Sequence, residues 1–162
     1  MKIKGIILIA IFIVSCTKKD ITIDYPQLIG KHISDKKVKE LFNYLGSDYK
    51  QVNAYDMHYY GYDDLGIQLN FSDSDTLRII YFSKDIKDLP YGLKMHFNRD
   101  VVENKLGKAD YYKAAASNYI AYYKDKNLII RYKDNDSLSM INPIKKVLVA
   151  NVNEDSLDTN VH

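Results

Sequence analysis

Apolar and polar residues follow two rhythms along most of this chain. Val38, Leu41, Phe42 and Leu45 recur three or four positions apart, which predicts an amphipathic helix. Ser34 is its expected N-cap, Asp35 suits the positive end of the helix, and Gly46 supplies a left-handed stop. The period then falls to two. Ile67, Leu69 and Phe71 share one face while Gln68 and Asn70 share the other, so residues 66–71 read as a strand. An aromatic-rich strand is expected before it at 55–62 and a third after it at 76–82, with turns at 63–66 and 72–75. Beyond a turn at Leu89-Pro90-Tyr91-Gly92, the alternation of Leu93, Met95 and Phe97 predicts a short strand entering a second helix. That helix takes Asn98 as cap, carries Asp100 in its first turn, buries Val101, Val102 and Leu106, and ends at Gly107. It is about one turn shorter than the first. Strands are expected at 118–124, 128–132 and 137–141, with turns at 125–127 and 133–136, and a last strand at 147–152.

The two halves of this pattern correspond. Shifted by 61 positions, Leu45-Gly46 falls on Leu106-Gly107, and Tyr62 falls on Tyr123. Ile67, Leu69 and Phe71 fall on Leu128, Ile130 and Tyr132, and Asp73, Asp75, Thr76 and Leu77 fall on Asp134, Asp136, Ser137 and Leu138. Several motifs in one gapless register argue for an internal duplication. One helix on three strands buries too little apolar area to stand alone. The expected fold is therefore α+β: two tandem helix-plus-antiparallel-meander units forming one compact body. The first unit covers 28–88, the second 89–152, and 153–162 is a polar tail.

The N-terminal stretch follows neither rhythm. Met1 to Cys16 reads MKIKGIILIAIFIVSC, with Lys2 and Lys4 ahead of an apolar run over 5–14. As a helix that run rises about 15 Å, half of a roughly 30 Å hydrocarbon core, too short for a comfortable span. A charged start, a short apolar run and a small residue before the break form a secretory signal pattern. The ending Ile13-Val14-Ser15-Cys16 resembles the lipobox of bacterial lipoproteins. The resemblance implies a signal peptide at 1–15, cleavage before Cys16, lipidation of the Cys16 thiol and acylation of the new amino group, with 16–27 as lipidated Cys and tether. Several acyl chains, at about 0.8 kcal/mol per buried CH₂, anchor a protein durably to a membrane. Thr17 follows the Cys where an Asp would resemble an inner-membrane retention signal, so the outer membrane is the expected location, with periplasmic and surface-facing orientations both open.

Composition sharpens this picture. The 162 residues are 46% hydrophobic and 27% charged, which is globular. A single Cys excludes an intrachain disulfide framework and Cys-rich metal sites. The formal charge of +2 depends on Lys2 and Lys4; without them 21 basic residues balance 21 acidic ones. No basic stripe lies beside the aromatics, which argues against a nucleic-acid partner.

Residues 97–110, a Tyr-rich strand after them and the strands up to Ile141 resemble the small α+β modules of the BamE (SmpA/OmlA) outer-membrane lipoproteins, where a helix ending in Leu-Gly-x-Pro precedes a three-stranded meander; here Ala109 stands in place of the Pro. The tandem arrangement is similar to β-lactamase inhibitor protein. Leu89-Pro90-Tyr91-Gly92-Leu93 before such a helix resembles small bacterial toxin-immunity-type proteins. Together these imply a non-catalytic binding role in the envelope.

Chemistry-bearing motifs are scarce. No Gly-x-Ser-x-Gly, Walker loop, dinucleotide glycine pattern or His-Glu-x-x-His occurs. His32, His58, His96 and His162 have no ligand spacing, and the Asp73/Asp75 and Asp134/Asp136 pairs lack the Gly and distal Glu of a calcium loop. No metal, cofactor or catalytic residue is expected. Tyrosine is the unusual resource, with 15 copies. Adjacent Tyr59-Tyr60 and Tyr122-Tyr123 would point to opposite faces of a strand, so some must face solvent or a partner. Tyr59, Tyr60, Tyr62, Tyr119, Tyr122 and Tyr123 are the candidate partner surface, since exposed Tyr gives large contact area at low entropy cost. Two functions remain: a lipid-anchored protein-binding module of inhibitor, immunity or envelope-assembly type, or a small-molecule or cell-wall-fragment binder, or weakly marked hydrolase, using a cleft between the repeats.

Overall fold

The computed structural model describes residues 22–86, 89–115, 118–133 and 144–150. Cys16, the turn at Asp134/Asp136, the strand expected at 137–141 and the tail at 153–162 lie outside them. The described chain is mostly sheet, with two short helices, α1 (Lys36–Leu45) and α2 (Arg99–Leu106). Strands β1 (Lys50–Ala54), β2 (Met57–Tyr62), β3 (Ile67–Ser72) and β4 (Leu77–Phe82) follow α1. Strands β5 (Tyr111–Ala115), β6 (Asn118–Tyr123), β7 (Leu128–Lys133) and β8 (Ile144–Ala150) follow α2. All eight form one antiparallel sheet in the order β1-β2-β3-β4-β8-β7-β6-β5.

This corrects the expectation of two tandem helix-plus-meander units. The architecture is a single sheet, and the reason lies in β8. Ile80 and Phe82 of β4 pair with Val149 and Val147, while Leu128 and Ile130 of β7 pair with the same two valines from the other side. Strands β2, β3, β4, β6, β7 and β8 therefore each have both edges occupied, and no boundary divides the sheet. Two strands also went unforeseen. β1 and β5 are the edges, where a strand needs no apolar alternation to be stable.

The apolar periodicity does what its spacing requires. Val38, Leu41 and Leu45 of α1 and Val102 of α2 are buried against one face of the sheet with Leu69, Phe71, Ile80, Phe82, Ile130 and Val147. Asp35, not Ser34, caps α1: its carboxylate accepts from the Lys37 N–H at 2.8 Å, and Ser34 instead bonds His32. Asn98 caps α2 through the Val101 N–H at 3.0 Å. Gly46 and Gly107 end the helices at φ 90° and 85°, a region where glycine alone is unstrained. The tether expected through residue 27 is shorter than that, because Tyr25 is fully buried with its ring 4.9 Å from Phe82. Leu93, Met95 and Phe97 form no strand; the Phe97 carbonyl instead accepts from the Ile144 N–H at 2.9 Å and fixes the entry to β8.

The opposite face of the sheet is not uniformly polar. Ile120, Tyr122, Ile129, Leu148 and Ala150 form a second buried cluster there, with Ile79 and Tyr81 packed against it. Central strands buried on both faces lose strict alternation, hence the runs Leu128-Ile129-Ile130 and Val147 to Ala150.

Candidate functional site: an aromatic cleft beside an edge strand

The site begins with one residue of α1. Leu41 faces the core and is fully buried, which turns its neighbour Phe42 to the flank of the helix, half-buried. Gly46 stops the helix, and residues 46–49 return the chain as β1. Tyr49 arrives opposite Phe42, with ring centroids 6.1 Å apart. Tyr60 of β2 lies beneath both, 5.2 Å from Phe42 and 5.4 Å from Tyr49, each edge to face. These three rings bound an open cleft of about 600 Å³ whose rim carries Lys39, Asn43, Ser47 and Gln51. Burial, then Asp75 and Tyr49, push the Tyr60 hydroxyl above its ordinary pKa, so the floor of the cleft stays uncharged.

Alongside runs β1, the outermost strand on this side. Tyr55 and Asp56 both have positive φ, 52° and 56°, and close a two-residue hairpin between the paired Ala54 and Met57. In such a hairpin the closing pair exchanges hydrogen bonds, and bonded and non-bonded pairs then alternate. Val52 and Lys50 thus bond to Tyr59 and Gly61, while the main-chain groups of Gln51 and Asn53 point away from β2. Neither has a main-chain hydrogen bond outside the strand pairing among the described residues. Residues 50–53 are exposed.

The other end of the sheet is built differently. The space between α2 and β5 is filled by a polar and aromatic knot. Arg99 Nε and the Tyr112 hydroxyl both donate to Glu103 Oε1 at 2.5 Å, and the Ala109 N–H donates to the Tyr112 hydroxyl at 3.0 Å. The Arg99 guanidinium lies 4.3 Å from the Tyr112 ring centre and 5.2 Å from that of Tyr119. Tyr112 and Tyr119 stack at 5.5 Å and 12°.

The six tyrosines expected to face a partner are mostly internal. Tyr62 and Tyr123 are 1% and 2% exposed in the main core. Tyr122 is buried in the second cluster, which is why adjacent Tyr122 and Tyr123 are both internal: β6 is apolar on both faces. Tyr119 is half-buried in the α2 knot, and Tyr59 is half-buried on the face opposite the helices, paired with Asn70. Only Tyr60 of the six lines the cleft. Sequence reasoning missed Phe42 and Tyr49 as site residues. Phe42 read as part of the helix stripe, and nothing in the local pattern marks Tyr49. The large exposed aromatics are others, led by Tyr55 at the hairpin tip, 93% exposed.

Among the described residues no three His, Cys, Asp or Glu side chains come together in a way that would hold a metal ion. No helix of the described residues is long and apolar enough to cross a membrane.

No family model matches the chain, and no curated protein does. Among solved structures, the crystal structure of a DUF4309 family protein (YjgB) from Bacillus subtilis subsp. subtilis str. 168 is similar to it at a TM-score of 0.44 and 12% identity, over 70% of this chain and 77% of that one.

Proposed function

We propose that this chain is a membrane-anchored envelope lipoprotein that acts as a non-catalytic protein-binding module, of inhibitor, immunity or envelope-assembly type. It takes an extended segment of its partner as a ninth strand on β1. The observation that carries the reading is a juxtaposition: the outward main-chain groups of Gln51 and Asn53 run beside the Phe42, Tyr49 and Tyr60 cleft. Strand addition works by this division of labour, with the ladder giving affinity and a neighbouring pocket giving specificity. The lipobox-like Ile13-Val14-Ser15-Cys16 supports the anchor and an outer-membrane location. The amide and hydroxyl rim of the same cleft supports a second reading, a cell-wall-fragment binder.

The test places a photo-crosslinking amino acid at Val52, which is 58% exposed on β1, in living cells. A discrete protein adduct is expected. Gln51→Pro removes an outward N–H that β2 does not use, a change edge strands tolerate. It should lower the adduct yield about tenfold, the cost of one or two ladder hydrogen bonds and the clash of the ring. A folded Gln51→Pro chain that crosslinks as well as the wild type overturns strand addition.

A further inference from the structure

Resting on strand addition at β1, we infer that the partner segment carries an acidic side chain two residues from an aromatic or aliphatic anchor. The argument starts from the lysines around the cleft. Lys31 has Asp35 at 3.4 Å, Lys36 has Glu40 at 3.9 Å, Lys37 has the Gln27 side-chain carbonyl at 3.1 Å, and Lys50 has Asp63 at 2.6 Å. Lys39 lines the cleft and forms no ion pair among the described residues. Glu40, the acid beside it in sequence, is engaged by Lys36. The cleft therefore offers an aromatic chamber and, at its rim, a cation with no counter-ion among the described residues.

The spacing follows from element geometry. Lys39 and Asn43 are four residues apart on the same flank of α1, about 6 Å along its axis. Side chains on one face of an added strand repeat at about 6.6–6.8 Å. Phe42 packs on Tyr60, the cross-strand partner of Gln51, whereas Ile33 ahead of the helix bonds Asp75, which pairs with His58, the partner of Asn53; the Lys39 end of the helix thus lies toward Asn53 and the Phe42 end toward Gln51. Cross-strand partners share a face. A partner residue opposite Gln51, which itself lines the cleft, thus faces the Phe42, Tyr49 and Tyr60 rings, and the one opposite Asn53 lies on the Lys39 side. A carboxylate there gains an opposite charge, and a lysine or arginine meets a like one. Charges at an interface rim act chiefly on selectivity in this way.

The test selects displayed nine-residue peptides on the full chain in mild detergent, then measures affinities of synthetic copies by fluorescence polarisation. Selected peptides should carry Asp or Glu two positions from an aromatic or aliphatic residue. Lys39→Glu should weaken them roughly fivefold or more and favour copies with the acid changed to Lys, whereas Lys39→Gln should weaken them without that reversal. Lys39 is exposed, so both variants keep the wild-type melting curve. Peptides that are weakened by Gln51→Pro yet ignore the charge at position 39 overturn this inference and leave strand addition standing. Selection of no peptide, with a soluble cell-wall fragment bound and then lost on Phe42→Ala, overturns both.

Discussion

Glu103 holds Arg99 of α2 and Tyr112 of β5 on one carboxylate oxygen. Burial acts to raise its pKa, but the bonds from Tyr112 and Arg99 outweigh that and hold the carboxyl below its ordinary range. A folded-state pKa below the unfolded one stabilises the protein at pH above the unfolded value, about 4.3 for Glu, and that stability is lost as pH falls through the folded value. Glu103→Gln should therefore cost about 1–3 kcal/mol near neutral pH. The variant's denaturation midpoints should also fall less steeply than the wild type's between pH 5 and 3. Urea unfolding at pH 7, 5 and 3.5 checks this, and parallel curves would refute it. At this scale the Asn98 cap and both glycine stops were readable from sequence, since Asn98, Gly46 and Gly107 act within three or four residues of themselves, whereas the cap of α1 fell one residue later than read, on Asp35. Burial of a particular Tyr was not. Tyr60, Tyr62 and Tyr123 are internal because the main core covers their face of the sheet, and Tyr122 because the second cluster covers the other; alternation within one strand carries no record of what packs on either face.

Among the elements, β8 matters most. Val147 is fully buried and pairs with Phe82 on one side and Ile130 on the other. Val147→Ala removes two methyl groups at the seam and should lower stability by about 2 kcal/mol. Because the seam is shared, hydrogen exchange should speed up together in β2–β3 and in β6–β7, in one cooperative transition. Loss of protection in one half alone would contradict a continuous sheet. The apolar strands β3, β4 and β7 were legible because one or both faces enter a core. The edges were not: β1 reads Lys-Gln-Val-Asn-Ala, with residues 50–53 exposed and no burial to impose a period. The candidate cleft is invisible in sequence for the same reason. It arises where a helix flank stops short of an edge strand, which is a property of packing.

For the whole molecule, the signal-like N-terminus and the binding edge belong to one proposal but can be tested apart. Cys16→Ser should abolish incorporation of labelled fatty acid, while peptide binding at β1 by the same variant stays unchanged. Persistent labelling would refute the lipobox reading. What the sheet order adds concerns time. β8 is the last described strand along the chain, yet it lies at the centre of the sheet. Until residues 144–150 have been made, β4 and β7 each present an open apolar edge and cannot meet. Pairing β4 with β8 also closes a loop of more than sixty residues, a slow step for a sheet of this kind. A nascent chain thus stays unassembled through most of its synthesis. In the export proposed above, that interval lets the chain reach its translocation channel before it folds.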